Sequence, residues 1–111
     1  MAGGLTGPAG GPYARPVIHR LVHYTGRVQG VGFRACAARI AGGHDVAGTV
    51  QNLPDGRVRL AVQGSAGEVR AFLADVDREL GRHVRRKDES EGTPDPALGD
   101  PHALDAFRVL R

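Results

Sequence analysis

Apolar and polar positions alternate along several stretches of this chain and follow a helical period along two others. Val17 to Thr25 reads as a strand, with Val22 and Tyr24 on one face and His23 and Thr25 on the other. Phe33 to Ala41 reads as a helix whose apolar stripe is Ala37, Ile40 and Ala41, stopped by Gly42 and Gly43. Val46 to Leu53 is a second strand, with Val46, Gly48, Val50 and Asn52 on one pleat face. Pro54-Asp55-Gly56 is a turn signal. In the third strand, Arg57 to Gln63, the pattern predicts Val58, Leu60 and Val62 inside and Arg57, Arg59 and Gln63 outside. These two strands form an antiparallel hairpin.

Ser65-Ala66-Gly67-Glu68 is a capping box, and the helix it opens places Val69, Phe72, Leu73, Val76 and Leu80 at helical spacing. His83 to Asp88 is read as a fourth strand although only Val84 is apolar, the acidic stretch Asp88 to Asp100 as a loop, and Ala106 to Leu110 as a final short strand. The order is strand, helix, strand, strand, helix, strand, with an extra terminal strand. Both helices must cover one face of one antiparallel sheet to bury their stripes. The expected architecture is therefore α+β, a ferredoxin-like α/β sandwich.

The 111 residues suffice for one domain with a modest core. Residues 1–16, rich in Gly, Ala and Pro, read as a disordered arm without the features of a secretory signal, and residues 17–111 as the domain. No apolar run approaches the roughly 20 residues that span a bilayer, so no membrane partner is expected. A lone cysteine, Cys36, fits a reducing compartment, and the expected location is cytoplasmic. The net charge is +3, with arginine supplying nearly all the positive residues, and this balance tolerates anionic partners.

The chemistry concentrates in Gly26-Arg27-Val28-Gln29-Gly30-Val31-Gly32, the loop between the first strand and the first helix. Gly30 and Gly32 permit unusual dihedrals and close approach to a ligand. Successive N–H groups can then converge on an anion at the positive end of the helix. Arg34 adds a guanidinium fork that matches phosphate or carboxylate. The blander alternative is a structural turn beside a solvated arginine. Asn52 likewise could stabilise the Leu53-Pro54-Asp55-Gly56 turn through its side chain.

Several other readings fit less well. Gly30 to Ala35 matches the dinucleotide pattern G-x-G-x-x-A, but the next strand enters a tight hairpin and no room remains for a second mononucleotide-binding half. A Walker loop lacks its G-K-[ST]. In a cysteine phosphatase the thiolate precedes the phosphate loop, whereas Cys36 follows Arg34. The basic run Arg82 to Lys87 reads as a solvated edge strand or helix end. The aromatic pattern of an RNA-recognition sheet is missing, which disfavours nucleic acid. His19 and His23 share a strand face without a third ligand and read as a surface pair.

Gly26 to Arg34 closely resembles the acylphosphatase signature. The second block of that family, G-W-V-x-N-x-x-D-G, is similar to Gly48-Thr49-Val50-Gln51-Asn52-Leu53-Pro54-Asp55-Gly56. Phe107-Arg108-Val109 resembles its closing F-x-I element, and the resemblance spans roughly Arg20 to Arg111. It implies the same sandwich fold and hydrolysis of the carboxyl-phosphate anhydride of an acyl phosphate to carboxylate and inorganic phosphate. It further implies a phosphate site from the loop amides of Gln29, Gly30, Val31, Gly32 and Phe33 with Arg34, and an attacking water oriented by Asn52. No metal and no organic cofactor is implied. The expected partners are an acyl phosphate and, as product or inhibitor, inorganic phosphate or similar anions, with the protein a monomer. A non-catalytic anion-binding or RNA-binding module of the same fold is the alternative. Similar domains also open hydrogenase-maturation carbamoyltransferases; the end of the chain at Arg111 points to the free enzyme. The chain departs from the family pattern at Thr49, where tryptophan is common, and at His44-Asp45, where a Leu-Gly pair is common. Asp45 is accordingly expected to carry some left-handed strain.

Overall fold

The computed structural model describes residues 16–111. Of the expected N-terminal arm only Pro16 falls within these residues. The elements are β1 (Val17–Gly26), α1 (Phe33–Ala41), β2 (Val46–Asn52), β3 (Val58–Ser65), α2 (Ala66–Leu80), β4 (Val84–Gly92) and β5 (Phe107–Leu110). One five-stranded sheet runs in the order β4-β1-β3-β2-β5. The helices share one face of it and bury their stripes as their periods require. Ala37 and Ile40 from α1, and Val69, Phe72, Leu73 and Val76 from α2, meet Val22, Val50, Leu60 and Val62 from the strands. The ring pairs Tyr24–Phe33 and Phe72–Phe107, with centroids 5.0 and 5.4 Å apart, tie the sheet to both helices.

The sheet is not wholly antiparallel, which corrects the expectation. β1, β3, β2 and β4 pair antiparallel, but β5 lies parallel to β2, with Gly48 opposite Phe107 and Val50 opposite Val109. The reason is topological. After β4, on one edge, the chain crosses the sheet end where β2 begins and enters β5 on the other edge from that same end. Gln63 marks the crossing. It does face away from the helices, yet it is buried rather than solvated. Its carboxamide accepts from the Asp95 amide N–H and donates to the Asp95 carbonyl, both at 2.8 Å, and His19 Nδ1 lies 3.1 Å from its Oε1. A buried amide needs such partners, and the crossing loop supplies them.

The fourth strand is longer than its sequence suggests, extending through Gly92 into the stretch read as a loop. Edge strands can be held by main-chain pairing and charge rather than by burial. Here β4 pairs with β1 from His19–Gly92 to Gly26–Val84. Arg20 bridges Glu89 and Glu91 at 3.3 and 3.2 Å, and Lys87 reaches Asp77 of α2 at 2.8 Å. The basic run therefore sits on a short turn and a solvated edge strand.

Two local readings also change. Ser65 does cap α2, its hydroxyl accepting from the Glu68 N–H at 3.4 Å. The capping box is not reciprocal, however, because the Glu68 carboxylate accepts from the Asp45 N–H at 2.7 Å instead. Asp45 is free of left-handed strain: among the described non-glycine residues only Asp105 has positive φ. Its neighbour His44 lies largely buried with Nε2 2.8 Å from Asp75. The pair that departs from the family pattern thus ties the start of β2 to α2.

Gly48 sets how closely β5 and β3 approach β2. A Cβ there would lie 2.0 Å from the Ala61 carbonyl oxygen and 3.0 Å from the Phe107 ring. The first clash is with backbone and cannot be relieved by a rotamer change. Gly48→Ala is expected to destabilise the fold by about 1–3 kcal/mol, the usual range for forced overpacking. Thermal unfolding followed by far-UV circular dichroism checks it; an unchanged midpoint would contradict the close packing.

Candidate active site

The loop of residues 27–32 is held from both sides. Val28 and Phe33 are fully buried in the core and fix its two ends. Between them the Gln29 carboxamide donates to the Leu53 carbonyl at 2.8 Å and to the Arg57 carbonyl at 2.9 Å. That side chain fastens the loop to the turn between β2 and β3, bringing the two sequence blocks together. Gly30 and Gly32 have φ of 78° and 77°, the left-handed region that favours glycine. Gly32 is also the residue before α1, and no side chain caps this helix end. Its carbonyl accepts the first intrahelical bond, from the Cys36 N–H at 2.9 Å.

A cavity of about 240 Å³ opens at this helix end. Gly30, Gly32, Phe33, Arg34 and Asn52 all line it, so five of the seven residues singled out in the sequence converge on one space. Gln29 and half-exposed Val31 lie outside the lining. Three lining residues, Val28, Ala35 and Val109, were not singled out. Val28 adjoins Gln29 and Ala35 adjoins Arg34, and that adjacency is the sequence signal for both. Val109 sits on a terminal strand whose partner is set only by the crossing.

Among the described residues, Arg34 is the one charged side chain in the lining. It stands in the first turn of α1, half-buried, and donates through a guanidinium N–H to the Leu110 carbonyl at 2.8 Å. Asn52 closes β2 on the helix-facing side, in line with Val46, Gly48 and Val50. Its carboxamide oxygen is buried and meets no donor among the described residues. An acceptor left in this state costs about 1–3 kcal/mol, and such costs are commonly tolerated at functional positions. Arg34 and the positive end of the α1 dipole both favour an anion in the cavity.

The groups with displaced titration lie outside the cavity. Desolvation pushes the buried Tyr24 phenol well above its ordinary range. Burial, then Arg57 and Arg59, lower His23. The Arg57 backbone N–H, followed by its guanidinium, lowers Asp55 at the hairpin turn. Thr49, at the position where the family commonly carries tryptophan, alternates with Asn52 on the pleat and is not part of the lining.

Comparison with known proteins agrees with this arrangement. The Acylphosphatase family model matches residues 21–100. An acylphosphatase of Clostridium acetobutylicum is 43% identical over 68 residues, covering 61% of this chain and 74% of that one. An acylphosphatase of Natronomonas pharaonis is 32% identical over 94 residues, covering 85% and 96%. The crystal structure of acylphosphatase from Bacillus subtilis superposes with a TM-score of 0.67 at 27% identity, covering 86% of this chain and all of that one. Sheet order, the loop bound to the hairpin turn and these matches lead to one assignment: the chain belongs to the acylphosphatase family of hydrolases.

Proposed function

We propose that this protein hydrolyses the anhydride bond of acyl phosphates, with Arg34 and the loop amides from Gln29 to Phe33 binding the phosphoryl group and Asn52 orienting the attacking water. The observation that carries this reading is that Arg34 and Asn52 line one cavity at the N-terminal end of α1. No described residue donates to the Asn52 carboxamide oxygen, so the carboxamide would be free to turn toward a water beside the phosphoryl group. The uncapped end of α1 and its two left-handed glycines suit an anion.

The chemistry asks little acid–base assistance of the protein. The water oxygen forms a new bond to phosphorus as the bond to the carboxyl oxygen breaks, and the electron pair leaves with the carboxylate. A carboxylate is a good leaving group and needs no strong general acid, in keeping with a lining of neutral residues and one arginine. The amide of Asn52 is a poor base, so the water proton passes to a phosphoryl oxygen of the substrate. The protein contributes position and charge stabilisation.

The test is release of benzoate from benzoyl phosphate by the purified full chain with a chelator present. Turnover far above the buffer rate is expected. Folded protein no faster than buffer would sink the hydrolase reading and leave a non-catalytic anion-binding module of the same fold.

A further inference from the structure

A second cavity, of about 340 Å³, is lined by Gly26, Arg27, Arg82, His83, Val84 and Arg85 and shares no lining residue with the first. Three chain segments meet there: the end of β1, the short turn Gly81–His83 after α2, and the start of β4. They can come this close because residue 26 is glycine. Its φ is 143°, and a Cβ there would stand 2.3 Å from the His83 carbonyl oxygen and 2.8 Å from the Arg85 nitrogen. The same junction carries a β-bulge. Thr25 pairs with Arg86 and Gly26 with Val84, so Arg85 is the extra residue on its strand. A bulge re-aims the side chain it inserts, and here that side chain joins the lining.

Among the described residues no carboxylate lines this space, and none lies within ion-pair reach of Arg27, Arg82 or Arg85. The next two cations along β4 are partnered, Arg86 with Asp88 at 3.1 Å and Lys87 with Asp77 at 2.8 Å. Arg82 follows the C-terminal end of α2, where its charge also suits the helix dipole; Arg27 and Arg85 come from other elements and have no such role. Guanidiniums gathered without a counter-charge fit an anion that carries several charges. The space is larger than the 240 Å³ cavity beside Arg34. Its lining has no Phe, Tyr or Trp ring on which a base could stack. From Asp88 onward β4 turns acidic, so the basic surface does not continue as a track for a nucleic-acid backbone. We infer that this cavity is a second anion site that takes an oligophosphate, a di- or triphosphate chain, free or as the tail of a nucleotide. The inference does not depend on the acyl-phosphate reading of the first cavity.

The experiment titrates sodium tripolyphosphate into the full chain in metal-free buffer and follows backbone amide shifts by NMR. Saturable shifts at Gly26, Arg27 and residues 82–85 are expected, whatever happens at the loop before α1. Shifts confined to residues 29–34 would overturn the site. Arg82→Gln with Arg85→Gln should weaken the 82–85 response at least about tenfold, the worth of one charge-assisted hydrogen bond, and leave benzoyl phosphate turnover within about twofold. Arg59→Gln with Arg70→Gln removes the same charge outside the lining and should leave the response within about twofold. An equal loss in both double variants would reduce the effect to net charge and overturn the site. ATP and orthophosphate are titrated alongside. Orthophosphate should bind about tenfold or more weakly than tripolyphosphate. ATP binding more tightly than tripolyphosphate assigns the nucleotide as the source of the phosphate chain, and weaker binding assigns the free oligophosphate. Response to a single-stranded oligonucleotide but to neither phosphate chain would overturn the small-anion reading.

Discussion

Asn52→Ala is expected to lower kcat for benzoyl phosphate by about 10²–10³-fold while leaving inhibition by inorganic phosphate within about twofold. The size follows from what one positioned polar group contributes in a preorganised site. The split follows from the proposed role. Asn52 would act on the water, so phosphate, held by Arg34 and the loop amides, should bind as before. The same substitution should not reduce thermal stability. The carboxamide oxygen is buried and meets no donor among the described residues, so its removal relieves a desolvation cost rather than breaking a bond. Steady-state kinetics with a phosphate inhibition series, beside a thermal melt, checks all three statements. Lost stability with intact turnover would assign Asn52 to the hairpin turn instead.

Arg34→Ala should fail differently, losing both turnover and phosphate binding. Arg34 is the one charged residue in the lining among the described residues. Its guanidinium can hold the phosphoryl oxygens in the ground state and stabilise their charge in the transition state. A fall of about 10²–10³-fold in kcat is expected, with phosphate inhibition weakened in parallel. Arg34→Lys should recover little, because a point charge cannot reproduce a planar fork that reaches both ligand and the Leu110 carbonyl. The fold should survive, since the lost hydrogen bond lies on an exposed edge. Circular dichroism spectra matching the wild type, together with loss of both activities, would meet the expectation. Phosphate inhibition unchanged in Arg34→Ala would move the anion contact to the backbone alone.

The parts of the fold that could be read from the sequence are those in which side-chain pattern and local structure coincide. The stripe from Val69 to Leu80 can be buried only as a helix. The alternation Val58, Leu60, Val62 can be buried only as a strand. The glycines at 30 and 32 do adopt the left-handed dihedrals their positions suggest. In β4 this link is absent: its pairing with β1 is made by main-chain groups and by charges such as Arg20 and Glu89, and neither leaves a hydrophobic period. The alternation puts Gln63 on the face it occupies, but the side-chain period says nothing about a distant loop laid over that face.

The candidate site divides in the same way. Arg34 and the loop glycines are local to one turn, and the second block marks Asn52. That these blocks share a cavity depends on antiparallel β-pairing and on the Gln29 carboxamide reaching two carbonyls more than twenty residues away. The sequence by itself determined the two helices, the hairpin, the anion-suited loop and the two side chains proposed for catalysis, because each is written in short-range pattern or in a motif. Only the tertiary structure decided the parallel placement of β5, the burial of Gln63 and the presence of Val109 beside Arg34. Those depend on where a crossing of the sheet end delivers the chain, and non-local main-chain pairing carries no signature in the residues that make it.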